Sequence, residues 1–137
     1  VDNSTLNTGS AVTTTLTTAQ SGTLFNIDGT GDIIVNMPAL ATANVGATYE
    51  FLVTTAVGGS TTVTFVLPGS GVSNFYGALS LMGGTAANPA TDVAGDTLTL
   101  VNSTIVNSRV TLTCVADNAT NSTWKAEALA SPIATIA

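Results

Sequence analysis

Histidine is missing from this chain of 137 residues, cysteine occurs once, and Arg109 and Lys125 are the only basic residues. Each shortage excludes something. A Ser-His-Asp or Cys-His nucleophile has no base without histidine. A Ser-Lys pair would have to recruit Lys125, which sits beside Trp124 in an alternating segment with no motif around it. The eight acids are scattered, and Asp2, Asp28, Asp32, Asp92 and Asp117 fall in arm, turn or loop positions, where carboxylates cap backbone. Paired-carboxylate chemistry needs two such groups held at a set separation, and no spacing here supplies one. Catalysis is therefore not expected. With two cations against a net charge of −6, the chain cannot neutralise several phosphates, which argues against direct nucleic-acid binding. No apolar run approaches the ~20 residues of a membrane-spanning helix. Val1-Asp2-Asn3-Ser4-Thr5 has neither a basic segment nor an apolar stretch, so no signal peptide is read there. One cysteine leaves no internal disulfide; Cys114, between Thr113 and Val115, reads as a small buried hydrophobe. That fits folding in a reducing cytoplasm.

What the chain has in quantity is threonine, its commonest residue, interleaved with apolar side chains as in Thr97-Leu98-Thr99-Leu100 and Val110-Thr111-Leu112-Thr113-Cys114. Alternation of period two marks half-buried strands, and β-branched residues suit a pleated surface. Hydrophobic residues make up 45% and charged residues 7%, where a soluble domain carries about 25% charged. Thr, Ser and Asn must then supply solubility, and an apolar surplus of this kind is covered by partners in an assembly.

Alternating or apolar segments recur about every dozen residues, the spacing of a sandwich or barrel. The predicted strands are Ala11–Thr17, Thr23–Ile27, Ile33–Met37, Thr48–Thr55, Thr61–Leu67, Thr97–Asn102, Val110–Ala116 and Thr123–Ala128. Tyr49, Phe51 and Val53 share one face, as do Val63, Phe65 and Leu67, and Ile33, Val35 and Met37; these faces supply the core, with Trp124, Ala126 and Ala128. The fold class is all-β: a single-domain β-sandwich or a jelly-roll-like, partly closed barrel with extended amino- and carboxy-terminal arms. Residues 1–11 read as a flexible amino-terminal arm, 12–128 as the β-sandwich domain, and 129–137 as an apolar carboxy-terminal tail in which Pro132 blocks a regular strand. The tail either packs on its own domain or docks on another subunit. Residues 69–95 form the least regular stretch, long enough to be expected to protrude and make contacts.

Asp28-Gly29-Thr30-Gly31-Asp32 is a strong hairpin-turn signal. It is also the best place for a hard cation, but it lacks the repeated Asp/Asn spacing of a calcium loop, so it reads as a glycine-permitted turn. No metal or cofactor is expected. The Asn-x-Ser/Thr triplets at Asn3, Asn102, Asn118 and Asn121 are what chance gives in a chain this rich in Ser and Thr. Trp124, Tyr49 and Tyr76 are the rings a sugar-binding platform could use. Trp124 and Tyr49 fall at core parity, whereas Phe75-Tyr76 beside a Gly-rich loop stays open.

Ala19-Gln20-Ser21-Gly22 leads into a strand, Met37-Pro38-Ala39 follows, then Gly46-Ala47-Thr48-Tyr49-Glu50-Phe51, Gly95-Asp96 and finally Trp124. Over roughly residues 17–125 this order resembles a group of small β-rich virion proteins of tailed bacteriophages. The resemblance implies a head decoration (cement) protein, made in the bacterial host cytoplasm and placed on the outer surface of an icosahedral capsid. There it would stabilise the shell as a homotrimer bridging neighbouring major capsid protein subunits. The residues expected to reach partners are Val1 and Leu6 in the amino-terminal arm, Leu129, Pro132, Ile133 and Ile136 in the tail, and Phe75 and Tyr76 in the irregular stretch. The rival expectations are a receptor- or glycan-binding module of a tail fibre or surface adhesin, recognising its ligand within residues 74–92, and a pilus or surface-layer subunit.

Overall fold

A β-branched residue at every second position sends one row of side chains inward and the next outward, and the chain uses this to build two facing sheets. The structure, a computed structural model, describes residues 3–6, 11–39, 41–68, 75–81, 97–101, 104–116, 122–130 and 135–136. In chain order the strands are β1 (Asn3–Leu6), β2 (Val12–Thr15), β3 (Leu24–Asp28), β4 (Ile33–Asn36), β5 (Thr48–Thr55) and β6 (Val63–Val66). Then come β7 (Phe75–Leu81), β8 (Thr97–Leu100), β9 (Arg109–Ala116), β10 (Ser122–Ala130) and β11 (Thr135–Ile136). One sheet has the order β1-β3-β5-β9-β10-β7 and the other β11-β8-β6-β4-β2. Neither closes on itself among the described residues. The fold is an all-β sandwich of two mixed sheets.

Its first half is a coil. From β1 to β6 the chain alternates between the sheets, so β1, β3 and β5 stack in parallel in one and β2, β4 and β6 stack in parallel in the other. Parallel register places like positions above one another. Val12, Ile33 and Val63 form one inward column, and Thr14, Val35 and Phe65 the next. In the larger sheet Ser4, Phe25 and Phe51 line up, and the Phe25 and Phe51 rings stack at 5.3 Å between centroids. Phe65 closes on Phe51 from the opposite sheet, edge to face at 4.6 Å. In the second half of the chain β8 and β9 reverse direction: β8 pairs antiparallel with β6, and β9 pairs antiparallel with β5 and β10, so that β10 and its parallel neighbour β7 run with β5 again.

The turn at residues 28–32 is not a hairpin. Its flanking strands β3 and β4 lie in different sheets, so the segment is a corner of the coil. Turn chemistry reports a local reversal and not which sheet the chain enters next. The corner is made by contact with the next one along the coil. A Cβ on Gly29 would stand 2.6 Å from the backbone N and Cα of Val57, so only glycine fits. Gly58 N–H and the Thr61 hydroxyl both donate to the Gly29 carbonyl, at 3.0 and 3.1 Å. Asp28 accepts from Thr30 N–H within the turn, and Asp32 accepts from Thr62 N–H at 2.8 Å across to the next corner. Both carboxylates therefore serve the backbone.

Two segments depart from the sequence reading, and in a third the structure takes one of the alternatives it left open. Residues 3–6, expected in a flexible arm, form β1 in register with β3, and Leu6 is buried in the core. Their polar sequence carries no alternation to announce a strand. Residues 75–81, expected in an irregular protrusion, form β7 along the edge of the larger sheet, parallel to β10. Gly77 and the uneven pattern of Phe75–Leu81 hide it. In the tail, Thr135 and Ile136 pair with Thr99 and Leu98 of the same chain, so this part docks on its own domain. Strand β10 itself continues past residue 128 to Ala130, two residues before Pro132.

Candidate functional site

The aromatic rings that could have formed an exposed platform are largely spent on the core. Tyr49 and Trp124 are both 0% exposed and lie 5.6 Å apart between ring centroids. The Tyr49 hydroxyl donates to the Thr17 carbonyl at 2.9 Å. Burial pushes its pKa above the ordinary 10, and the neighbouring Cys114 adds to the shift. Cys114 is buried as the sequence suggested.

Among the described residues, the broad surfaces left for function are the outsides of the two sheets, and they differ in chemistry. The smaller sheet presents Thr13, Thr15, Ile34, Asn36, Thr64, Val66, Thr97 and Thr99 outward, with no charge among them. The larger sheet carries both basic residues and both glutamates of the chain. Register arranges them in rows across the strands. Leu24, Glu50, Thr111 and Glu127 form one row through β3, β5, β9 and β10. Asn26, Leu52, Arg109 and Leu129 form the adjacent row, and Thr48, Thr113 and Lys125 lie on the other side. Glu50, Arg109, Lys125, Glu127 and Leu129 are exposed, while Leu24, Leu52 and Thr111 are half-buried. Two shallow depressions mark this face, one bordered by Leu24, Glu50, Leu52 and Arg109, the other by Thr113, Val115, Lys125 and Glu127.

Lys125 Nζ reaches Glu127 Oε1 at 3.2 Å with both side chains more than half exposed, an ion pair worth about 0–1 kcal/mol. Glu50 and Arg109 stand diagonally on neighbouring strands, and neither has an ion-pair partner among the described residues. With Asp28 at the end of β3 on the same side, the face carries three acids and both bases of a chain of net charge −6, and near its centre a charge of each sign has no ion-pair partner among the described residues.

Compared with protein-family models, curated proteins and solved structures, the chain matches none. Its surface chemistry has to be read from the geometry.

Of the residues expected to reach partners, Leu129 is exposed on this face, opposite Arg109. Leu6 faces the protein's own core instead, because β1 sets it beside Ile27. Phe75 and Tyr76 are on β7, in register with Trp124 and Lys125, and Ile136 is in β11. Val1, Pro132 and Ile133 lie outside the described residues, as does most of 69–95. The sequence reading missed Glu50 and Arg109 as a surface pair. The available signal was parity: Glu50 lies between Tyr49 and Phe51, and Arg109 precedes Val110, so alternation alone turns both outward.

Proposed function

We propose that this chain is a structural protein of a bacteriophage virion, a capsid decoration protein that stabilises the outer shell by bridging neighbouring major capsid protein subunits as a homotrimer. The observation that carries the reading is the division of labour between core and surface. Phe25, Tyr49, Phe51, Phe65 and Trp124 are all buried, leaving one sheet face of short polar and aliphatic side chains and a larger one that adds a few charged groups. Such faces suit side-by-side contact with other proteins better than capture of a small ligand, which calls for a concave site with aromatic walls. The order of motifs from Ala19 to Trp124 supports the same reading. Many weak contacts of one small protein, repeated over a shell, add through multivalency. The glycan-binding alternative loses Tyr49 and Trp124 as platform rings.

The test is the copy number of this chain relative to the major capsid protein in purified particles, by quantitative mass spectrometry. Shell-like abundance, hundreds of copies in order of magnitude by the multivalent logic above, supports decoration. A handful moves the protein to the tail and an adhesive role, and absence from particles ends the virion reading.

A further inference from the structure

We infer that the outer face of the six-stranded sheet, centred on Glu50, Leu52, Arg109 and Leu129, is the surface that docks on the capsid shell; this rests on the decoration reading. Two arguments select it over the outer face of the smaller sheet.

The first is size. Strands β5 and β9 have eight residues each and β10 has nine. At about 3.3 Å per residue along each strand and ~4.8 Å across it, the six strands together cover roughly 650 Å². The smaller sheet has four strands of four residues and one of two. The same spacings give it about 290 Å². A stable protein interface takes about 800 Å² from each partner. Only the larger face comes near that value.

The second is charge. A chain of net charge −6 repels an acidic surface except where its own cations stand, and both cations are on this face. Arg109 lacks an ion-pair partner among the described residues, and so does Glu50 diagonal to it. The face therefore fits a shell surface that offers a carboxylate to Arg109 and a basic group to Glu50, around an apolar contact with Leu52 and Leu129. Arginine suits the first role because its planar fork engages a carboxylate through two hydrogen bonds. The half-buried Leu24 and Leu52 and the exposed Leu129 supply the apolar centre that interfaces place inside a polar rim.

The experiment uses particles of the encoding phage assembled without this protein, and measures binding of added chain by co-sedimentation. Arg109→Glu and Leu129→Asp are the face variants; Ile34→Asp, at an equally exposed strand position on the smaller sheet, is the control. Melting curves check that all three fold as the wild type does, and sedimentation checks its oligomeric state; a face variant that loses the wild-type oligomer assigns this face to a second copy of the chain and overturns the shell assignment. Arg109→Glu and Leu129→Asp are expected to weaken binding about tenfold or more, and Ile34→Asp to leave it unchanged. Wild-type binding that survives both face variants overturns the assignment while leaving decoration intact. So does binding lost only in Ile34→Asp. A wild-type chain that does not bind the particles at all overturns the decoration reading and this assignment with it.

Discussion

Replacing Gly29 with alanine tests the coil itself. The added Cβ would lie 2.6 Å from Val57 N and Cα and 2.7 Å from the Ala56 carbonyl carbon, where carbon contacts settle at about 3.5–4.0 Å. Backbone stands on the far side of the clash, so no rotamer change relieves it. Moving the corner away would strain the bonds from Gly58 N–H and the Thr61 hydroxyl to the Gly29 carbonyl, and the bond from Val57 N–H to the Thr104 carbonyl at 2.9 Å. Overpacking of this kind costs about 1–3 kcal/mol, and each weakened hydrogen bond about 1 kcal/mol. Since relaxation trades one loss against the other, the expected destabilisation is about 3 kcal/mol, a large share of the roughly 5–15 kcal/mol a domain has. Urea denaturation followed by the fluorescence of Trp124, the chain's one tryptophan, measures it. Gly59→Ala is the control, because nothing lies within 4 Å of a Cβ built there, and it should stay within about 0.5 kcal/mol of wild type. Equal stability of the Gly29 and Gly59 variants would refute the stacking of the 28–32 corner on the next one, and with it the parallel coil.

Three further outcomes follow from the same structure. Phe51→Ala removes the ring between Phe25 and Phe65 and should cost about 4 kcal/mol in chemical denaturation; a loss under about 1 kcal/mol would contradict the aromatic stack. Asp32→Ala removes the acceptor for Thr62 N–H and should lower stability by about 1–2 kcal/mol, read as a shift in urea midpoint with unchanged slope. Tyr49, with its pKa raised by burial, retains its proton in the folded state after the unfolded chain begins to lose it. Stability should therefore fall from about pH 10 upward, by ~1.4 kcal/mol per pH unit until the folded group ionises, and Tyr49→Phe should flatten that fall.

The parts of this fold that were legible in the sequence are those where alternation is strong and local. Thr48–Thr55 was recovered as β5 without change, and the inward parity of Tyr49, Phe51, Val63, Phe65 and Trp124 matches their burial. The missing strands fail for separate physical reasons. Asn3–Leu6 is polar and exists as a strand because β3 supplies hydrogen bonds, which no local pattern encodes. Phe75–Leu81 is held by its ladder to β10, some fifty residues away in sequence, and a glycine interrupts its pattern. Sheet membership was hidden altogether: the corner at Gly29 has the composition of a hairpin because both structures need a glycine, one for a positive φ and the other for room. The charged face was half visible, since parity turns Glu50 and Arg109 outward, but only the register of β5 with β9 makes them diagonal neighbours.

The reversal of direction after β6 fixes the length of this molecule. A parallel coil has no intrinsic end, because each added turn presents the same hydrogen-bonding edge as the one before it. Here β8 and β9, running the other way along β6 and β5, stop that repetition at one end in both sheets at once. Height and closure are thus encoded in separate stretches of sequence, the first in β1–β6 and the second in β8–β10. A lineage could lengthen or shorten the protein by duplicating or deleting a single turn of the coil, leaving the closing strands to terminate whatever turn they meet.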